Sequence, residues 1–214
     1  VIIRDPDNEL AAAECKALTG AAPDSEGVAD AATVAYVPRA AYVRHGVQLL
    51  ATGRDLAELV VAVAACDTWA DGFSIDFRGL RENGELTRRE AIIAVADAMG
   101  AAKPDLRHPT LRLLLAEQTG EVWLGEIVTE PDKSYDRHDA KPHRTSASLA
   151  SRMARALVNL AGPDATSIVD PCCGTGSILL EACHLGLSAV GADRSKRCFG
   201  MSSKNVAHFG YAAR

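Results

Sequence analysis

Thr166-Ser167-Ile168-Val169-Asp170-Pro171-Cys172-Cys173-Gly174-Thr175-Gly176-Ser177, running on into Ile178-Leu179-Leu180-Glu181-Ala182, is the stretch that decides the fold. A β-branched apolar run ends on an acid, crosses a Gly-x-Gly turn and enters a helix-forming run without a break. Gly174 and Gly176 permit a tight turn and a close approach of backbone to a ligand. Gly-x-Gly alone is common in ordinary turns. Its neighbours sharpen it: Ser188–Asp193 reads as a second strand whose closing acid, Asp193, lies 17 residues after Gly176. A helix over Ala150–Leu160 precedes the motif and another over Ser195–His208 follows it. Helices alternating with strands predict a parallel, doubly wound α/β sheet.

The two acids select the ligand. Asp193 stands where a carboxylate can accept the hydroxyls of an adenosine ribose. Asp170 sits beside the glycines, where a dinucleotide would place its pyrophosphate on the helix N-terminus, and a fixed carboxylate there repels phosphate. A ligand bearing an ammonium and a sulfonium is attracted instead. S-adenosyl-L-methionine satisfies both acids, whereas a nicotinamide dinucleotide satisfies only Asp193. A purely structural turn, with Asp170 capping the next helix, is the plain alternative. Adjacent Cys172 and Cys173 read as small packing residues rather than a nucleophile, with no histidine placed to activate them.

Upstream the pattern is different. Val1–Arg4 reads as a strand, Asn8–Leu18 as an Ala-rich helix stopped by Gly20, and Thr33–Val37 and Ala40–Ala51 as strands. Asp55–Cys66 reads as a buried helix, and Phe73, Ile75 and Phe77 alternate with polar residues as a half-buried strand does. Thr87 with Glu90 forms a capping box for a helix ending near Gly100. Leu111–Glu117 and Glu121–Thr129 flank a hairpin turn. This mixture predicts an α+β region over residues 1–130. Residues 131–148 are polar, hold Pro131 and Pro142 and lack a period, which predicts an inter-domain linker. The α/β part then occupies 149–214.

Composition sets the outer bounds. At 214 residues with 48% hydrophobic and 24% charged side chains, the chain can bury a sizeable core. The longest apolar run, Leu59–Cys66, falls well short of the ~20 residues a membrane span needs, and the first residues lack the features of a secretory signal. Six scattered cysteines without a Cys-x-x-Cys pair predict reduced thiols and a cytoplasmic setting, and no metal site is expected. The net charge of −5 excludes a uniformly basic nucleic-acid coat, yet it is unevenly spread. Residues 1–74 hold 5 basic and 11 acidic side chains, while 133–155 hold 6 basic against Asp136 and Asp139. Lys141, Arg144 and Arg137 are the candidates for a phosphate-facing strip around the linker; a solvated surface is the alternative.

The motif resembles the cofactor loop of class I methyltransferases that act on amine nitrogens of nucleic acids. Gly191-Ala192-Asp193 and Met201-Ser202-Ser203-Lys204-Asn205 continue that likeness. Lys141-Pro142 and Ala154-Arg155-Ala156-Leu157-Val158-Asn159-Leu160-Ala161 resemble RNA guanine-N2 methyltransferases carrying a THUMP domain, of the archaeal and eukaryotic type acting at tRNA position ten. Glu9–Glu14, Asp105–Pro109 and Trp123–Glu126 are more loosely similar to their ferredoxin-like and THUMP regions. Ser151 stands where many relatives carry proline.

The resemblance implies a ferredoxin-like and THUMP RNA-binding region at 1–130, a linker, and the start of a Rossmann-like methyltransferase domain at 149–214. It implies S-adenosyl-L-methionine as cofactor and tRNA as partner. Asp170, Cys173, Gly174, Thr175 and Gly176 would line the methionine end, Asp193 would hold the ribose, and Thr145 and Ser146 would reach the cofactor carboxylate. The family's catalytic Asp/Asn-Pro-Pro-aromatic motif has no counterpart here, since residues 1–214 contain no Pro-Pro pair. About 70 residues follow the linker, against the ~150 expected of such a domain. The expectation is therefore a catalytic motif beyond Arg214 and a chain inactive alone. A non-catalytic THUMP protein, a ribosomal-RNA guanine-N2 methyltransferase and a nucleotide-binding dehydrogenase remain as alternatives, the last opposed by Asp170.

Overall fold

The computed structural model describes residues 1–3, 5–66, 69–79 and 87–214. Arg4, expected in the first strand, lies outside them. In chain order the elements are β1 (Ile2–Ile3), α1 (Glu9–Thr19), β2 (Val43–Gly53), α2 (Leu56–Ala64), β3 (Phe73–Arg78), α3 (Arg88–Ala98), β4 (Leu111–Gln118), β5 (Glu121–Thr129), α4 (Ser151–Asn159), β6 (Ser167–Asp170), α5 (Ser177–His184), β7 (Ser188–Gly191) and α6 (Lys196–His208). The chain divides into one unit made of Val1–His45 with Glu130–Arg214, and a second made of Gly46–Thr129.

In the second unit the strands run in the order β2-β5-β4-β3. β3 and β4 are parallel and are joined through α3, and β4 and β5 form an antiparallel hairpin. Its two-residue loop places Gly120 at φ +81°, a conformation that favours glycine. Phe73 and Ile75 on β3 and Leu113 and Leu115 on β4 point alternately into one core, where they meet Leu59 and Val63 of α2 and Ala91 and Val95 of α3. Asp55 and Thr87 cap α2 and α3, each accepting the N–H of the glutamate three residues on.

In the first unit, α1 is capped by Asn8 and closed by Gly20 at φ +79°. Its inner face packs Ala11, Cys15 and Leu18 against Ile3, Val37 and Val43. Glu14 is fully buried on that face. It accepts the N–H groups of Ala41 at 2.9 Å and Tyr42 at 2.7 Å, and the side-chain amide of Asn159 in α4 at 2.7 Å. Because Glu14 takes those two N–H groups, β2 begins at Val43 rather than at Ala40. The expected strand over Thr33–Val37 is replaced by a 3-10 turn over Val37–Arg39, in which Pro38 has no N–H to give a ladder.

Two expectations about organisation are corrected here. Residues 1–45 belong with the C-terminal part and not with 46–129, because Glu14, Arg39 and Tyr42 are all contacted by α4: Asn159 Nδ2 donates to Glu14, Arg39 Nε donates to Asn159 Oδ1 at 2.9 Å, and the Arg152 guanidinium lies 4.1 Å from the Tyr42 ring centre. Residues 131–148 are not a solvated linker either. Ser134–Ala140 form a 3-10 helix that buries Tyr135 and His138, and Lys141 is buried just after it.

The C-terminal part follows the expected order. β6 and β7 are parallel, with Ile168 opposite Ala189 and Val169 opposite Val190. Val158, Leu179, Leu180, Leu187, Ala189 and Val206 form the core beneath them. On the opposite face Val169 is 70% exposed, so among the described residues helices cover one side of this sheet. Arg214 pairs through its backbone with Ala189 and Gly191 along the edge of β7.

Candidate functional site

The turn between β6 and α5 is fixed from three directions. From below, the Cys173 N–H donates to Ala192 O at 2.9 Å and the Ala192 N–H to Asp170 O at 2.9 Å, which continues the β6–β7 ladder into the loop. From the side, the Gly174 N–H donates to Asp193 Oδ2 at 2.8 Å, while Asp193 Oδ1 accepts the Ser195 N–H at 2.7 Å. Each carboxylate oxygen keeps a second lone pair, so Asp193 can still accept ligand hydroxyls. From behind, α6 presses on Gly176: a Cβ there would meet Ser202 Oγ at 2.5 Å and Ser202 Cα at 3.3 Å. Gly174, at φ +53°, has open space where its Cβ would be.

Asp170 is half-buried and its Oδ1 accepts the Cys172 N–H at 3.1 Å. It therefore closes a local Asx turn and does not cap α5, whose N-cap is Gly176 with no side-chain acceptor. The first N–H groups of α5 give that end of the helix a partial positive charge. Two carboxylates flanking an open glycine and a helix start form a cradle that suits a zwitterionic ligand carrying both signs. Cys173 is buried and its burial pushes the thiol pKa up, consistent with packing rather than nucleophilic use. All six cysteines are unpaired.

The segment before α4 forms a wall beside this turn. Ser148 Oγ lies 2.9 Å from Thr175 Oγ1 and accepts the Thr145 N–H at 2.9 Å. Asn205 of α6 is fully buried and fastens the same region: Oδ1 accepts the His143 N–H at 2.9 Å, and Nδ2 donates to His143 O and to Thr175 O, both at 2.8 Å. Thr145 is thus drawn to the turn through Ser148, while Ser146 is exposed on the same loop.

The basic candidates separate. Arg137 and Arg144 are exposed, and Arg144 Nη1 donates to Asp139 O at 2.8 Å. Lys141 is 2% exposed, with its ammonium 2.6 Å from Ser177 Oγ. In this position it cannot reach a nucleic-acid phosphate, which corrects its assignment to the RNA-facing strip. Ser148 is missed in the sequence, and Ser177 and Asn205, quoted there within motifs, are given no role. Asn205 left a faint signal, a polar residue beside Ser202 and Val206 on the buried face of α6.

Behind the wall lies a buried ionic cluster. Glu181 of α5 receives Arg155 Nε at 2.8 Å and faces His138 Nδ1 at 2.6 Å, and all three side chains are 1% exposed or less. Tyr211 joins it through hydroxyl contacts to His138 and His184.

Residues 138–211 match the RMKL-like methyltransferase domain family. The matched segment opens on the wall, contains the whole turn and ends after α6. The tRNA (guanine(10)-N2)-dimethyltransferase of Methanothermobacter thermautotrophicus is 40% identical over 78 residues, 34% of this chain and 23% of that protein. The protein of the same name from Pyrococcus abyssi is 32% identical over 93 residues, 42% of this chain and 28% of that one. The chain spans about a quarter of the length of these curated relatives. A solved Pyrococcus horikoshii structure aligns over 100% of this chain and 76% of its own, with a TM-score of 0.50 at 8% identity, a likeness of fold alone. No helix among the described residues is long and apolar enough to cross a membrane.

Proposed function

We propose that this chain is the cofactor-binding and RNA-docking part of an RNA methyltransferase that uses S-adenosyl-L-methionine and modifies the exocyclic N2 amine of a guanosine in tRNA, at position ten. The observation that carries this reading is the hydrogen bond from the open Gly174 to Asp193, within the segment that matches a methyltransferase domain. The cofactor, when bound, supplies a methyl group on a sulfonium. Asp193 accepts its ribose hydroxyls. Asp170 attracts the ammonium and favours the sulfonium, and the first turn of α5 together with Thr145 and Ser146 receives the carboxylate. Residues 46–129 act as a THUMP-type RNA-docking region, and exposed Arg137 and Arg144 contact tRNA phosphates. The names of the curated relatives, tRNA (guanine(10)-N2)-dimethyltransferases, support the choice of RNA and atom. Unpaired thiols suit work in the cytoplasm.

Calorimetry with S-adenosylhomocysteine tests the cofactor half on this chain. Saturable binding is expected, lost in Asp193→Ala, and NAD should not compete. Tritium transfer from the methyl donor to unmodified tRNA, using the protein as its gene encodes it, tests the reaction. Absence of label in tRNA would overturn the assignment. Arg137→Ala and Arg144→Ala should each lower the salt slope of tRNA binding by about one, and an unchanged slope returns them to the solvated surface.

A further inference from the structure

Lys141 is a lysine buried beside the glycine turn. Its ammonium is buried and donates to Ser177 Oγ at 2.6 Å and to Leu149 O at 3.3 Å, while Ser177 Oγ itself donates to Leu149 O at 2.9 Å. No carboxylate lies within ion-pair distance of it among the described residues. Ser177 is the first residue of α5, so the charge also sits against the positive end of a helix dipole. Burial, followed by the nearby Arg144 charge, lowers its pKa from the ordinary lysine value, against a weaker opposing pull from the Asp139 and Glu181 carboxylates. Burying a cation without an anionic partner is costly, and an apolar side chain of similar length would be cheaper there.

The three-way contact explains what that cost secures. Leu149 directly follows Ser148, and Ser177 directly follows Gly176. One ammonium therefore ties the end of the wall loop to the end of the glycine turn, at residues that closely follow Ser148 and Thr175, which are themselves in contact. We propose that Lys141 is a positioning residue of the cofactor site, holding the 145–148 loop against the glycine turn and setting cofactor affinity without touching RNA. This rests on the cofactor reading above.

Lys141→Met separates this role from a structural one. Because the ammonium lacks an anionic partner, the melting temperature of the ligand-free protein should stay level or rise. Affinity for S-adenosylhomocysteine should fall about tenfold, the loss of one hydrogen bond to a charged group. Ser177→Ala removes only the acceptor and should weaken binding in the same direction. The double variant should be no weaker than Lys141→Met, since both act through one contact. Unchanged affinity in Lys141→Met, additive losses in the double variant, or affinity and melting temperature falling together would each overturn the positioning role. Failure of the unsubstituted protein to bind S-adenosylhomocysteine would instead remove the cofactor reading, and this role with it.

Discussion

Gly174 and Gly176 are both left-handed, at φ +53° and +83°, yet they serve different ends. An alanine at either pays the left-handed backbone penalty, about 1–2 kcal/mol. At position 176 the added Cβ also drives into Ser202 Oγ and its backbone, so Gly176→Ala should cost about 2–4 kcal/mol in all and visibly lower the melting temperature. At position 174 the Cβ enters open space, so Gly174→Ala should lose only the backbone penalty of about 1–2 kcal/mol and most of its S-adenosylhomocysteine affinity. Paired melting and calorimetry decide this, and equal stability losses would remove the distinction. The sequence makes both glycines legible as a turn, because strand, turn and helix are contiguous and local. Which glycine faces the ligand and which faces α6 depends on Ser202, 26 residues after Gly176, and no local pattern carries that.

At the scale of an element, α5 is legible in its boundaries and misleading in its faces. Ser177, Glu181 and His184 recur at i, i+4 and i+7, a polar stripe that periodicity assigns to water. It is buried or half-buried because the 134–141 segment lies on it and supplies His138 and Lys141 as partners. That segment has no period of its own, which is why it reads as a linker. Glu181→Ala would leave Arg155 and His138 buried without their anion and should cost about 3–5 kcal/mol, read as a lower denaturant midpoint. His184 adds a pH dependence. Burial, then the charges of Arg155, His138 and Arg137, lowers its pKa below 6.5, against an opposing pull from Glu181. The unfolded chain then binds more protons than the folded one as pH drops through 6.5, so stability is full above that value and declines below it. Melting temperature should fall between pH 7.5 and 5.5, and His184→Gln should flatten that fall.

For the whole molecule, the informative residue is Glu14, 145 positions away from its partner Asn159. Helix α1 is readable from Asn8 and Gly20, but nothing local tells that its buried acid caps the start of β2 and grips α4. The polar break at 131–148 therefore suggested a boundary that the buried partners do not respect. Stability in such a chain should be organised by unit. Glu14→Ala orphans the Ala41 and Tyr42 N–H groups, each at a cost of about 1–3 kcal/mol where buried, and leaves the Asn159 amide with Arg39 O as its remaining acceptor. Hydrogen exchange of the variant should then quicken together in α1 and in α4, although they lie at opposite ends of the sequence. Peptides from β3 and β4, whose core is built within 46–129, should keep their protection. A loss spread evenly over all peptides would mean a single cooperative body, and an unaffected α4 would mean that Glu14 serves β2 alone. Quickening confined to α1, the start of β2 and α4 is the expected pattern, because those are the places where its three acceptor bonds end.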